Sequence, residues 1–511
     1  MLARIARNTA AQAVGLALTF ADRFVVVGVL LRAWGPQLYS DWAALLSCAG
    51  LIAMGELGLN IYYGNTLQKA WTQHDTARFQ RTVSIALFIS GCLAILLGGI
   101  AISIASTVDL HRGLSIGELS RAEAYGVLAL LGWTALSRVA RGSISQTFRG
   151  RQQFATGTMV DLTSTAATVT VMLAAGLLGA RPLTLAMLMV ASDLLAGWGF
   201  MLFALKSRYR DLRLRPSCPT ATEFSDVIGH VKWLAVQQGS PVAWLQLPIV
   251  YLGAIGWSGP PLVGFVLSRT LVNFMRTLCN LLSIGSGVEI AAVHHAGQTA
   301  QATRHVYAVA RWLAILATAM AAGLLLFGRP FVSIWSGHDN LFNPILILFL
   351  ASGAVLAAPA AAISSHLMLA NAPRPISLAL IFQLAVGLPA CAAMARAWGP
   401  TGAAAGLAVA EAAGQGLLIP ILAARQMDGF EVKTYLSQTV RAIALTGAWT
   451  FATGFLILHL IDIHSTTALI AAVLLWGFFA LLPVFFAGLS SPQRSALLSR
   501  VTKLRNTSTT T

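Results

Sequence analysis

Fourteen stretches of about twenty mainly apolar residues follow one another along the chain, and they dictate its fold class. They lie at about 11–32, 40–63, 82–106, 124–147, 154–178, 183–205, 229–256, 261–287, 306–327, 342–369, 376–396, 401–424, 438–461 and 466–489. A hydrocarbon core roughly 30 Å thick takes about 20 helical residues to cross. Inside it every backbone N–H and C=O must be satisfied within the protein, which a helix does alone. The chain is therefore expected to be all-α and polytopic. The first stretch is too long for a signal peptide and no A-x-A site follows it. Composition removes the competing classes: 57% of the 511 residues are hydrophobic and 10% are charged, against about 45–50% and about 25% in a soluble domain. Disorder needs low hydrophobicity, and five scattered Cys without a CxxC pair do not make a disulfide scaffold.

The formal net charge of +16 would suggest a nucleic-acid partner in a soluble chain. Here its distribution sets orientation instead. One set of loops, termini included, carries about 21 Lys and Arg, among them Arg4, Arg7, Arg151, the run Lys206–Arg215, Arg494 and Lys503; the opposite set carries about 6. The positive-inside rule then puts both termini in the cytoplasm, which requires an even number of spans and excludes nucleic acid as the reason for the charge.

Turn signatures recur at one offset. Trp34-Gly35-Pro36 and Ser258-Gly259-Pro260, Gly179 to Pro182 and Trp398-Gly399-Pro400, and Ala77-Arg78 and Thr303-Arg304 are each separated by about 220–226 residues. The pattern predicts two pseudo-symmetric six-helix lobes plus two C-terminal helices. The expected divisions are 1–205 (first lobe), 206–228 (a basic inter-lobe linker), 229–424 (second lobe), 425–489 (two extra spans) and 490–511 (a cytoplasmic tail).

No GxxxxGK[ST] loop, GxSxG elbow or sizeable external domain is present, the longest external loop being about 108–123. His294, His295 and His305 lack companions at metal-ligand spacing. Neither an enzyme nor a cofactor is expected. The informative residues are polar ones inside spans, where charge is costly. In span eight, Arg269, Asn273, Arg276 and Asn280 fall at i, i+4, i+7 and i+11, within about 60° on one helical face, with Ser283 and Gly287 extending it. The two arginines bracket the midplane, too deep to snorkel. This stripe reads either as a cationic, water-lined surface or as a structural pairing with a neighbouring helix. In span seven Gln237 shares a face with Pro241, Trp244, Pro248 and Tyr251, a helix loosened by two prolines. In span one Asn8, Gln12, Gly15 and Thr19 lead to Asp22 and Arg23; adjacent residues do not face each other, so separate partners are expected, Glu56 in span two being one for Arg23. In span four Arg141 lies close enough to an end to snorkel, whereas Arg138 does not. Glu411 sits in a small-residue helix whose Gly402 and Gly406 predict tight packing; Asp161 and Asp193 are ambiguous. Arginine donates bidentately to phosphate and keeps its charge, so an anionic, phosphate-bearing ligand and alternating access are expected.

The chain resembles, along nearly its whole length, the polysaccharide-transporter branch of the multidrug/oligosaccharidyl-lipid/polysaccharide exporter superfamily. The residues carrying the resemblance are RAWGPQLYSDWAAL at 32–45, GELGLNIYYGNTLQ at 55–68, GFVLSRTLVNFMRTL at 264–278 and AWGPTGAAAGLAVAE at 397–411. Where such proteins usually have a proline near the end of span eight, this one reads Gly285-Ser286-Gly287-Val288-Glu289. The resemblance implies a flippase in the bacterial inner membrane, moving a polyprenyl-pyrophosphate-linked oligosaccharide for O-antigen, capsule or exopolysaccharide export. Its partners would be that lipid-linked oligosaccharide, membrane lipids, and polysaccharide polymerase and export machinery. Spans one, two, seven and eight would line the path. Arg269 and Arg276 would contact pyrophosphate and sugar acids, and Asn273, Asn280 and Gln237 the sugar hydroxyls. Asp22, Arg23, Glu56 and Arg138 would tune the site's charge. The alternatives are a peptidoglycan lipid-precursor flippase, a cation-coupled multidrug exporter, and a membrane-embedded glycosyltransferase or polymerase.

Overall fold

The computed structural model describes residues 12–56, 58–370, 372–463 and 465–488. Asn8, the N-terminal Arg4 and Arg7, and the 490–511 tail with Arg494 and Lys503 lie outside the described residues. Among the described residues eight helices are long and apolar enough to cross a membrane, or nine if a bent pair is one span. Two of these contain sharp turns. Gln12–Thr72 turns at Gly35 (φ 71°), giving α1 (12–34) and α2 (36–52); a 3-10 turn at Ala53–Glu56 separates α2 from α3 (Leu59–Thr72). The following helices are α4 (Thr76–Thr107), α5 (Arg121–Gly150), α6 (Phe154–Leu177) and α7 (Pro182–Arg208). Then come α8 (Ala221–Ala254), α9 (Pro260–His295) and α10 (Thr299–Ser336). Span ten is a broken pair, α11 (Pro344–Ala357) and α12 (Ala360–Leu369), bent by 45°. Arg374–Ala423 turns at Gly399 (φ 60°) into α13 (374–397) and α14 (400–423). The last two are α15 (Val432–Leu460) and α16 (Thr466–Gly488). The chain is an all-α polytopic membrane protein, and its helices cover the fourteen stretches expected, with breaks inside the second and the tenth. The polar spans α5 and α8 are absent from the eight strongly apolar ones; both begin in a capping box, at Ser120/Glu123 and Thr220/Glu223, which satisfies their first N–H groups.

A lipid-facing surface is explicit. Ile95 (78% exposed), Leu195 (76%) and Leu474 (69%) would be costly in water and suit hydrocarbon. The turns that signalled a repeat share a backbone conformation: Gly35 and Gly259 both have positive φ, as do Gly179 and Gly399, which a residue with a Cβ adopts only at a cost. The last span of each expected lobe contains a π-helical turn, Asp193–Gly199 in α7 and Ala412–Leu418 in α14, beginning 219 residues apart.

Contacts divide the chain into two units. The first runs to Val266 and adds Trp335–Gly337 and Ala392–Ala403; the second comprises Leu267–Ile334, His338–Cys391 and the chain from Ala404. Span seven, α8, packs on α2, the 3-10 turn and α3 and so belongs by contact to the first unit, although by repeat it opens the second lobe. In the first unit Leu59, Tyr63, Ala86, Val227 and Val231 join α3, α4 and α8. Buried Asp41 accepts the backbone N–H groups of Gly117, Glu118 and Leu119 at 2.8–3.1 Å, tethering the 108–120 loop to the start of α2. In the second unit Phe327, Ile457, Leu469 and Trp476 join α10, α15 and α16.

Candidate functional site

The polar stripe of α9 is divided among different partners. Arg276 donates Nε to Glu411 Oε1 at 2.8 Å and Nη2 to Oε2 at 2.5 Å, a bidentate pair, while its Nη1 donates to Asn273 Oδ1 at 2.5 Å. The Glu411 side chain is 4% exposed and that of Arg276 22%. Small residues permit this approach: the Cβ of Ala408, one turn before Glu411, packs on Gly353 of α11, and a Cβ at Gly406 would meet the backbone of Ala390 and Cys391 at 2.6–2.8 Å. The close packing expected at Gly402 and Gly406 is thus present, and it carries a charge to Arg276 as well. Arg269 is buried and lies within electrostatic reach of Arg276, Glu411 and Cys391. Asn280 is exposed. Further along the same face Ser283 donates to the Ala361 carbonyl and shares a hydrogen bond with Ser365, each at 2.7 Å. A Cβ at Gly287 would meet Ser365 Cβ at 2.9 Å. That end of the stripe is therefore packed on α12.

The first unit repeats the theme with different helices. Arg141 is buried and donates Nη1 to Asp193 Oδ1 at 2.6 Å; Ser137 donates to Asp193 Oδ2 and accepts from Trp198 Nε1 at 2.7 Å. The guanidinium lies where a Cβ on Gly197 would stand. Snorkelling, expected for Arg141, does not occur, because Asp193 at the π-turn supplies a buried partner. Arg138 is on the exposed side of α5, within electrostatic reach of Arg141 and Asp193.

Asp22 and Arg23 lie in a third π-turn, Ala21–Val26, with Arg23 Nε 3.9 Å from Asp22 Oδ2 and both side chains substantially exposed. Among the described residues Arg23 makes its ion-pair approach to Asp22, and none joins it to Glu56. Glu56 ends the 3-10 turn that interrupts span two and hydrogen-bonds Asn60. Gly58 follows at φ 72° with Leu234 of α8 only 2.6 Å from the place of a Cβ. Gln237 is half-buried on α8. The break at 53–58 was missed from the sequence, though Gly55 and Gly58 flanking a carboxylate in an apolar run are its signal. Among the described residues no group of three or more His, Cys, Asp or Glu could hold a metal ion.

No protein-family model matches the sequence, and no curated protein matches it. Solved structures do. The lipid II flippase MurJ in an inward-closed conformation superposes with a TM-score of 0.67 at 11% identity, covering 94% of this chain and 98% of that one. The chain has the fold of the MOP transporters. An inward-facing MATE multidrug-resistance transporter of the MOP superfamily gives a TM-score of 0.61 at 12% identity over 82% of this chain and 96% of that one. A MOP transporter from Pyrococcus furiosus, described as having a binding pocket of reversed polarity, gives 0.56 at 12% identity over 84% and 96%. Within the MOP fold this chain sets arginine against carboxylate in each unit: Arg269 and Arg276 with Glu411 in one, and Arg138 and Arg141 with Asp193, Asp161 and Asp22 within electrostatic reach in the other.

Proposed function

We propose that the protein is a flippase that moves a polyprenyl-pyrophosphate-linked oligosaccharide across a bacterial inner membrane by alternating access, with both termini cytoplasmic. The observation carrying this reading is the pair of arginines set within span eight, where Arg269 is buried and Arg276 is bidentate to Glu411. Arginine at that depth is costly and marks a ligand path. Its guanidinium grips a pyrophosphate bidentately, and it repels organic cations. Arg269 and Arg276 would bind the pyrophosphate, with Asn273 and Asn280 on sugar hydroxyls. Asp22, Arg23, Glu56, Gln237 and Arg138 would meet the ligand at other stages of the cycle. The discontinuities at 53–58 and between α11 and α12 supply the breaks that such cycles use.

A second reading, export of a peptidoglycan lipid precursor, is favoured by the 94% coverage against a lipid II flippase. Both are tested by reconstituting the full chain in vesicles and measuring translocation of three labelled substrates: a lipid-linked oligosaccharide, a peptidoglycan lipid precursor and an organic cation. Arg269→Gln is expected to lower flipping of the accepted lipid at least tenfold while the protein stays folded. Translocation of the organic cation alone would overturn both lipid readings.

A further inference from the structure

The end of α7 holds a cleft that the proposed transport path leaves unused. Beyond Arg208 the chain folds back so that Leu202, Leu205, Tyr209, Leu212 and Leu214 border an open-sided cleft of about 590 Å3, and Lys206 and Arg210 complete its lining. Both cations are exposed and make no hydrogen bond or ion pair among the described residues. The nearby acids are committed elsewhere: Asp211 holds Arg151 at 2.5 and 3.1 Å, and Glu223 holds Arg81 at 2.7 and 3.0 Å. Arg151 is fixed further by stacking 4.3 Å from the Tyr209 ring centroid and 4.8 Å from that of Trp71, so it cannot swing across to neutralise a ligand's phosphate in place of Lys206 and Arg210.

The helix surface leading to the cleft is apolar and open, with Leu195 76%, Phe203 68% and Leu202 40% exposed. An acyl chain can therefore pass from hydrocarbon into a leucine-walled space while its headgroup stays beside two uncommitted cations. A free anion would not need the leucines, and a neutral lipid would not need the cations. We propose that this cleft binds one anionic phospholipid, its phosphate paired with Lys206 and Arg210 and an acyl chain laid along Leu202, Leu212 and Leu214. Lys and Arg clustered directly beyond a span draw anionic lipid, and the chain from Lys206 to Arg215 holds five of them. The bound lipid would pin one side of the inter-lobe linker, whose other side is already pinned by Arg81 and Arg151.

The test uses the purified full chain in neutral detergent, with bound lipid counted by native mass spectrometry during titration with phosphatidylglycerol. Phosphatidylcholine of the same chain length and millimolar inorganic phosphate are the comparison ligands. Lys206→Gln/Arg210→Gln is expected to weaken phosphatidylglycerol binding roughly thirtyfold, two cations each contributing about a fivefold attraction. Arg425→Gln/Lys433→Gln, which removes two exposed cations elsewhere, should leave it within twofold. Leu202→Asn, with both cations intact, should weaken long-chain phosphatidylglycerol and leave a short-chain analogue unaffected. Unchanged binding in the Lys206/Arg210 variant, equal retention of phosphatidylcholine, or displacement of the lipid by inorganic phosphate would each overturn the proposal.

Discussion

Breaking the Arg276–Glu411 pair from one side or the other should have unequal costs. Arg276→Ala leaves Glu411 4% exposed and deprives its carboxylate of both guanidinium hydrogen bonds at 2.8 and 2.5 Å. At about 1.5–3 kcal/mol for each hydrogen bond to a charged group, the loss falls within the roughly 3–5 kcal/mol seen when one member of a buried pair is removed. Glu411→Ala leaves Arg276 with its Asn273 contact and a 22% exposed side chain that water can reach, so about half that cost is expected. Arg276→Met/Glu411→Met removes both charges at similar volume and should return to within about 1–2 kcal/mol of the parent, a coupling of several kcal/mol. The protein carries its own reporters. Cys279 and Cys391 are buried, Cys218 is exposed beyond the spans, Cys48 is half-buried, and Cys92 lies on the lipid-facing side of α4; with Cys48→Ser and Cys92→Ser in the background, a thiol-reactive dye labels Cys218 at once and the buried pair only on unfolding. Thermal or denaturant curves read this way in detergent on the parent, Arg276→Met, Glu411→Met and the double-Met variant give the four corners of the cycle. Additive costs in the double variant, or an Arg276→Ala protein as stable as the parent, would refute the pairing. The same set separates stability from transport: a stable double-Met protein that no longer flips lipid assigns ligand binding to Arg276, and one that flips normally confines the pair to structure.

Gly197→Ala should open the Arg141–Asp193 pair, because its Cβ would collide with the Arg141 guanidinium and stand 2.9 Å from Asp193 Oδ1; a lower unfolding midpoint in the thiol assay is the expected readout. Gly58→Ala imposes a left-handed strain of roughly 1–2 kcal/mol and a 2.6 Å clash with Leu234; it should lower the melting temperature and alter protease sensitivity around 53–58. Arg81 and the Thr220 cap hold the Glu223 carboxyl down at about 2 from its ordinary 4.5. Stability from this group is therefore complete above about 4.5 and drains away as pH falls toward about 2; Glu223→Gln should flatten that part of the melting-temperature profile relative to the parent, by a small amount because the site is solvent-screened.

Much of the architecture was legible because a bilayer makes one demand repeatedly, and twenty apolar residues answer it each time. Gly35, Gly259, Gly179 and Gly399 were legible as turns because left-handed backbone selects glycine. The polar faces were found by period, yet their partners were not. Periodicity places Arg276 and Ser283 on one stripe, but whether Glu411 or Ser365 stands opposite is a property of a helix more than 80 residues away. Arg141 and Asp193 were separated for the same reason. The π-turns were invisible because they insert one residue without changing composition.

The two π-turns in α7 and α14 bear on ancestry. An extra residue slipped into a helix displaces everything beyond it by about 100° around the axis, so tolerating one requires compensating changes along the whole segment that follows. Two such events arising separately would have no cause to begin 219 residues apart, the spacing already set by the glycine turns. The simplest history is that the half-length precursor possessed the bulge before it was copied. The acids at the two bulges, Asp193 and Glu411, then acquired arginines from different helices as the copies diverged.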